Sequence, residues 1–405
     1  MTKKGKRRFL PYGRQTIEDD DIEAVVSVLK SDFLTTGPKV KELESEFSKF
    51  LDVPHAVSCS SGSAALHLAY LSMGLKQGDY VVVPAVTFLS TANMARHVGA
   101  EIIFSDVDPE TGLANADNIS SAIERSGKKI SAITAVHMSG QISEMDAISK
   151  VASESGAQII EDACHALGSI DSMGDYVGRC SKSSATIFSL HPVKAIAGGE
   201  GGIVTTRDPK IAQNMRLMQN HGIIRENFLY PDLAFSSNKE INPWYYEMLT
   251  PGFNYRLSDI HAALAKQQLS KLELFVKRRN ILASKYDSAI SAMPNWLKPF
   301  VKPVRRTLCE TVAWHLYVIL VDFEGLGCDR ASVVHHMKNQ GIGTQVHYLP
   351  LHMQPYYRER YGIQCLPGSE NWYSKALSLP LHPRMEDSDV DRVIEVLCES
   401  VDKCL

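Results

Sequence analysis

Phe188-Ser189-Leu190-His191-Pro192-Val193-Lys194 runs into Ala197-Gly198-Gly199-Glu200-Gly201-Gly202, and this stretch governs the reading of the chain. The apolar run over 185–190 has the composition of a buried strand, and the glycines after it suit neither a helix nor a strand interior. Lys194 therefore stands just past a strand end, where rigid structure can hold it and small neighbours leave room for a bulky planar ligand. A lysine amine in such a place is a nucleophile toward carbonyl groups. Taken alone, the same pattern also describes a surface turn.

The surroundings of that strand are regular. Short β-rich runs at 55–59, 80–84, 101–105, 130–136, 158–162, 185–190 and 202–206 alternate with amphipathic stretches such as 64–74, 91–98 and 144–155. This rhythm predicts an α/β fold: a large, mostly parallel sheet with helices on both faces and ligands beyond the carboxyl ends of its strands. After about Asn254 the pattern changes to long helices over 257–279 and onward to Met293. A proline-rich connector follows at 294–303. A strand at 316–321 and helices at 330–340 and 387–401 then predict a smaller C-terminal α/β domain. The expected division is an N-terminal arm at 1–15, a large domain at 16–255, and a helical connector with the small domain at 256–405.

Bulk composition narrows the function. With 405 residues, 44% hydrophobic and 22% charged, the chain is large enough for two globular domains. Its net charge of −3 and dispersed basic residues argue against a nucleic-acid partner. Apolar runs such as 80–86 are too short to span a bilayer, and the basic start 3–8 lacks the apolar core of a signal peptide. The eight cysteines (59, 164, 180, 309, 328, 365, 398 and 404) have no paired close spacing. That predicts no metal site and no disulfide scaffold, and points to a reducing, cytoplasmic setting.

Three further features fall at expected strand ends. Ser60-Ser61-Gly62-Ser63-Ala64-Ala65-Leu66 opens a helix with small residues, which either cap it in the ordinary way or expose amides for an anion such as phosphate. Asp162, in Ile159-Ile160-Glu161-Asp162-Ala163-Cys164-His165, is an acid ending an apolar strand. It either caps the next segment or pairs with a buried cation such as a protonated pyridine nitrogen. Phe88, after Thr87, is either core or a stacking surface for an aromatic ring. Phosphate cup, ring stacker, pyridine acid and nucleophilic lysine arrive in one order on one βα scaffold. Together they describe a pyridoxal 5'-phosphate site.

Ser61 to Leu66, Glu161 to Gly168, His191 to Lys194 with Glu200-Gly201-Gly202, and Gly252-Phe253-Asn254-Tyr255-Arg256-Leu257-Ser258-Asp259 resemble the DegT-type sugar-nucleotide aminotransferases, from about Tyr12 to the C-terminus. The resemblance implies a fold type I pyridoxal-phosphate enzyme working as a homodimer with shared sites. It implies that Lys194 bonds the cofactor aldehyde and moves protons, and that Asp162 pairs with the pyridine nitrogen. His165 would sit near the phenolic oxygen. Gly62, Ser63, Ala64 and Ser189 would hold the phosphate, and Asn254 would reach the phosphate of the neighbouring subunit. Most relatives have threonine where this chain has Ser63.

Pro11 to Gln15, Ser31 to Pro38, Trp244 to Glu247 and Trp314 to Tyr317 look like the subgroup acting in pseudaminic acid biosynthesis. That resemblance implies L-glutamate as amino donor and a UDP-4-keto-6-deoxy-N-acetylhexosamine as acceptor. Substrate contacts would come from Tyr12, Ser31, Asp32, Phe33, Leu34, Ser61, Ser189, Asn254, Trp314, His315, Leu316 and Tyr317. The rivals are an aminotransferase for another nucleotide-linked keto sugar, whether dTDP or GDP, and a non-catalytic cofactor-binding regulator. Residues 227–242 form a longer connection than usual and are expected to be a surface loop.

Overall fold

The computed structural model describes residues 8–403; the basic start 3–7 and Cys404 lie outside the described residues. Its large sheet has seven strands: β1 (His55–Cys59), β2 (Tyr80–Pro84), β3 (Glu101–Ser105), β4 (Ala132–Val136), β5 (Gln158–Asp162), β6 (Ala185–Ser189) and β7 (Gly202–Thr206). Their spatial order is β1-β7-β6-β5-β4-β2-β3. From β6 across to β3 the neighbours pair parallel, whereas β7 runs antiparallel to both β6 and β1. The carboxyl ends of β1, β2, β4, β5 and β6 consequently share one edge, the edge where open α/β sheets bind ligands. Strands β4 and β7 are buried along their whole length, as a sheet covered on both faces requires.

Two expected strands are shorter than their apolar runs. Residues 130 and 131 precede β4. Leu190 leaves β6 because its N–H goes to Gly201 and its carbonyl takes the Gly198 N–H, closing a turn around Lys194. Gly199 in that turn has φ +83°, a conformation that side chains with a Cβ rarely adopt.

Helix α1 (Asp19–Leu29) packs on a later helix, while α2 (Pro38–Leu51), α3 (Gly62–Ser72), α4 (Leu89–His97), α5 (Ala116–Ser126), α6 (Met145–Ser155) and α7 (Pro209–Met218) cover the sheet. Helix α3 is apolar nearly all round because it packs on α4, α7, β6 and β7 together. Beyond α7 the chain forms a flap of β8 (Ile223–Ile224), α8 (Pro231–Ala234) and β9 (Glu247–Met248).

Residues 227–242 lie at the surface as expected, and they carry the short helix α8. The buried Glu247 carboxylate accepts the N–H groups of Leu229 and Tyr230 and the Tyr245 hydroxyl. Burial alone would raise its pKa, but those three bonds outweigh it and hold the group below the usual carboxylate range. The flap leaves Leu229, Tyr230, Leu233, Trp244, Tyr246 and Met248 exposed.

The long helices expected over 257–279 and onward to Met293 are α9 (Asp259–Leu269) and α10 (Leu272–Ser291), with the break at 270–271. The break places Lys271 Nζ within 2.7 Å of Asp21, 2.8 Å of Asp20 and 3.2 Å of Glu18, pinning α1 against α9. These carboxylates are the one group among the described residues with metal-ligand spacing, and a lysine ammonium already serves them. Lys271→Ala should cost about 3 kcal/mol of stability, because Asp21 is wholly buried and would lose its counter-charge; the exposed Asp20 and Glu18 add little. Chemical denaturation would check this, and an unchanged midpoint would refute it.

The remaining elements are β10 (Val301–Pro303), β11 (Tyr317–Val321), α11 (Arg330–Asn339), α12 (Pro355–Tyr361), α13 (Pro367–Lys375), β12 (Ala376–Leu379) and α14 (Asp387–Asp402). The connector expected at 294–303 thus ends in a strand, β10, of an antiparallel sheet ordered β10-β11-β12. The N-terminal segment is tied here too: Leu10 bridges Ile342, and the Tyr12 carbonyl accepts the Leu381 N–H. No helix among the described residues is long and apolar enough to cross a membrane.

Candidate active site

Three strand ends converge on Gly202. It opposes Cys59 of β1 and Ser189 of β6, and a Cβ on it would lie 2.4 Å from the Ser61 carbonyl oxygen. This close approach sets Ser189 beside the start of α3. Ser61 caps that helix, its Oγ accepting the Ala64 N–H at 3.1 Å. Among the described residues no hydrogen bond is found for the amides of Gly62 and Ser63, which stay available at the helix N-terminus. Ser63 Oγ and Ser90 Oγ share a bond of 2.6 Å. The expected role of the Ala64 amide is therefore corrected, because Ser61 already occupies it.

Beside this cup lies a cleft of about 610 Å³. It is lined by Tyr12, Ser61, Gly62, Ser63, Phe88, Asp162, His165, Ser189, Lys194 and His315 from the expected set. Lys194 sits in the turn after β6, its N–H donating to the His191 carbonyl. Burial lowers its ammonium pKa, against the opposing pull of Cys164 and Asp162. Asp162 Oδ2 accepts the Thr91 hydroxyl at 2.7 Å and Oδ1 the Cys164 N–H at 3.2 Å, so donors alone surround the carboxylate. Phe88, at the N-terminus of α4, is 53% exposed, which places it on the cleft rim and outside the core.

Four histidines line the wall: His165, His191, His315 and His347. His165 and His315 are held well below the ordinary imidazole pKa and His347 is pushed down to about 3, each chiefly by burial.

The structure separates other expected residues from the cleft. Trp314, Leu316 and Tyr317 are buried in cores. The Trp314 indole lies 4.0 Å from the Arg306 guanidinium, and the Tyr317 hydroxyl donates to Asp287 at 2.6 Å. Of the expected Trp314–Tyr317 set only His315 reaches the cleft. Ser31, Asp32, Phe33 and Leu34 form an exposed turn after α1, and Asn254 is an exposed residue bridged to Asn220; neither lines the cleft of its own chain.

In their place the small domain contributes Gln345, Val346, His347 and Tyr348, which the sequence reading missed. Tyr348 Oη is 3.3 Å from His165 Nε2, and the Tyr12 and His347 ring centroids are 5.5 Å apart. The available signal was a histidine-tyrosine pair in a segment bracketed by Gly341, Gly343 and Pro350.

Residues 15–398 match the model of the DegT/DnrJ/EryC1/StrS aminotransferase family. The chain belongs to that family. It is 37% identical over 405 residues to the spore coat polysaccharide biosynthesis protein SpsC of Bacillus subtilis (strain 168), covering 98% of each chain. Among solved structures it is similar to Helicobacter pylori PseC, an aminotransferase involved in the biosynthesis of pseudoaminic acid. That likeness has a TM-score of 0.88 at 25% identity, covering 98% of this chain and 100% of the other. It is also similar to Spr1654 from Streptococcus pneumoniae in its PLP form, with a TM-score of 0.85, 27% identity, and coverage of 98% and 100%.

As a member of the DegT/DnrJ/EryC1/StrS family the chain is a pyridoxal-phosphate-dependent sugar aminotransferase. The cleft fits that cofactor. Two unpaired amides and the hydroxyls of Ser63 and Ser189 suit a phosphate, Asp162 suits a protonated ring nitrogen, and the buried Lys194 amine suits an aldehyde.

Proposed function

We propose that this enzyme moves an amino group from L-glutamate to a UDP-4-keto-6-deoxy-N-acetylhexosamine, as in pseudaminic acid biosynthesis. The observation that carries the reading is a cleft in which one buried lysine, one carboxylate surrounded by donors and an anion cup meet at strand ends. The likeness to PseC along nearly the whole chain supports the sugar. Pyridoxal phosphate, when bound, supplies an aldehyde for the lysine and an electron sink for the donor's α-carbon.

The chain's residues do the rest. Amides of Gly62 and Ser63, with Ser63 and Ser189 hydroxyls, hold the phosphate, and Phe88 covers the ring. Asp162 keeps the ring nitrogen's proton in place. In the first half-reaction Lys194 Nζ would carry the proton from the donor's α-carbon to the cofactor carbon, and in the second from that carbon to the sugar carbon; burial lowers its pKa, which favours the free amine. His165, His315 and Tyr348 face the ligand as neutral groups that orient it.

The working unit in this reading is a homodimer. Exposed apolar residues on α1 (Ile22, Val26 and Leu29), on Phe33 and Leu34 after it, and across the flap support a second copy as occupant. Asn254 and the turn Ser31–Leu34 would then serve the partner's cleft. The dispersed free cysteines support a cytoplasmic setting.

A nucleotide-sugar panel with glutamate tests the substrate. The UDP-4-keto-6-deoxy-N-acetyl sugar should show a kcat/KM about 10-fold or more above its dTDP- and GDP-linked counterparts. Equal values across the panel would remove the UDP assignment and leave the amination.

A further inference from the structure

Behind the cleft, on the opposite face of β5 from Asp162, lies a polar pair that the reaction does not use. Glu161 and His137 are buried, with His137 Nε2 2.8 Å from Glu161 Oε2. The other carboxylate oxygen accepts the Thr186 hydroxyl at 3.0 Å and the Ser183 hydroxyl. Burial alone would raise the Glu161 pKa, but the interactions with His137, Ser183 and Thr186 outweigh it and hold the group below the usual carboxylate range. Each partner of the carboxylate must then be a donor.

His137 has its own constraint. The Ser143 N–H donates to His137 Nδ1 at 3.2 Å, so Nδ1 carries no proton and the ring N–H lies on Nε2, aimed at Glu161. The His137 N–H also donates to the Asp162 carbonyl. His137 thus anchors the start of a 3₁₀ turn, Met138–Gly140, in which Ser139 is left-handed at φ +62°.

That turn meets the cleft wall. The Ser139 N–H donates to His165 Nδ1 at 3.3 Å, and the Ser139 carbonyl accepts the His315 N–H at 2.9 Å. A donor at Nδ1 forces the His165 proton onto Nε2, which faces the Tyr348 hydroxyl. Tyr348 therefore accepts from His165, and its own proton turns toward the remaining cleft. The His165 and His315 rings lie 4.3 Å apart, so one displaced turn would disturb both.

We propose that His137 and Glu161 are a positioning pair which, through the Met138–Gly140 turn, fixes the Nε2-protonated tautomer of His165 and the placement of His315. The proposal rests on the cleft being the reaction site, yet the tautomer can be read whether or not any sugar turns over.

The test uses the holoenzyme labelled with ¹⁵N-histidine, with His165 assigned by difference against His165→Gln. Wild-type His165 should show the Nε2-protonated pattern. His137→Phe should give a mixture of tautomers and lower kcat about 10- to 100-fold, the scale set by misplacing supporting groups. His137→Gln, which keeps an N–H toward Glu161, should restore most of the wild-type pattern. A wild-type His165 protonated on Nδ1 overturns the proposal even if His137→Phe fails to fold. An unchanged tautomer in folded His137→Phe overturns it too, as does a Gln variant no better than Phe.

Discussion

Lys194→Ala is expected to lower transamination by at least about 10⁴-fold, the upper range for loss of a positioned proton-transfer group, with loss of covalent attachment added to it. The fold should survive. Asp162 keeps its bonds from Thr91 and Cys164, and among the described residues no group relies on a hydrogen bond from the Lys194 side chain. The lowered pKa explains why the loss should be so large: burial holds the amine nearer its neutral form, and water cannot replace an amine in that position. A small primary amine added to the variant should recover part of the rate by entering the space left behind. Steady-state turnover near wild type, without added amine, would remove Lys194 from its role.

How far the sequence foretold this site follows from physical range. Lys194, Asp162, Phe88 and the serine cup stand at the ends of β6, β5, β2 and β1, where local pattern carries the information. Their convergence then follows from one shared sheet edge. Gln345 to Tyr348 were illegible because another element folds over that edge, and nothing local to the segment announces the meeting.

Trp314 and His315 show a second limit. They are adjacent in sequence, yet the indole packs under Arg306 while the imidazole faces the cleft. Assigning the whole segment to one ligand overlooks how neighbouring side chains of an extended chain point to opposite sides. Ala64 shows a third. Its amide lies in the right turn of α3, but the Ser61 hydroxyl claims it first, and only coordinates reveal which N–H groups remain free. The flap had no apolar periodicity to announce it, since its order depends on one buried carboxylate, Glu247, gathering three donors.

Asp162→Asn is the second substitution with a large expected effect, and its geometry separates charge from shape. An amide can take the same place with its oxygen toward the Cys164 N–H and its NH₂ toward Thr91, whose hydroxyl can rotate to accept. The fold should therefore lose only about 1 kcal/mol, the worth of one ordinary hydrogen bond. The reaction loses more. A hydrogen bond between charged groups is worth about 1.5–3 kcal/mol, which converts to a rate loss of about 10- to 100-fold where the ring nitrogen must stay protonated. The sign of a second effect is also fixed. Asp162 raises the pKa of Lys194 against the pull of burial, so removing its charge should lower that pKa further. Labelling of the apo-enzyme lysine by an amine-specific reagent should then begin at lower pH than in wild type. A variant with wild-type kcat and an unmoved labelling profile would show that the Asp162 charge serves neither group.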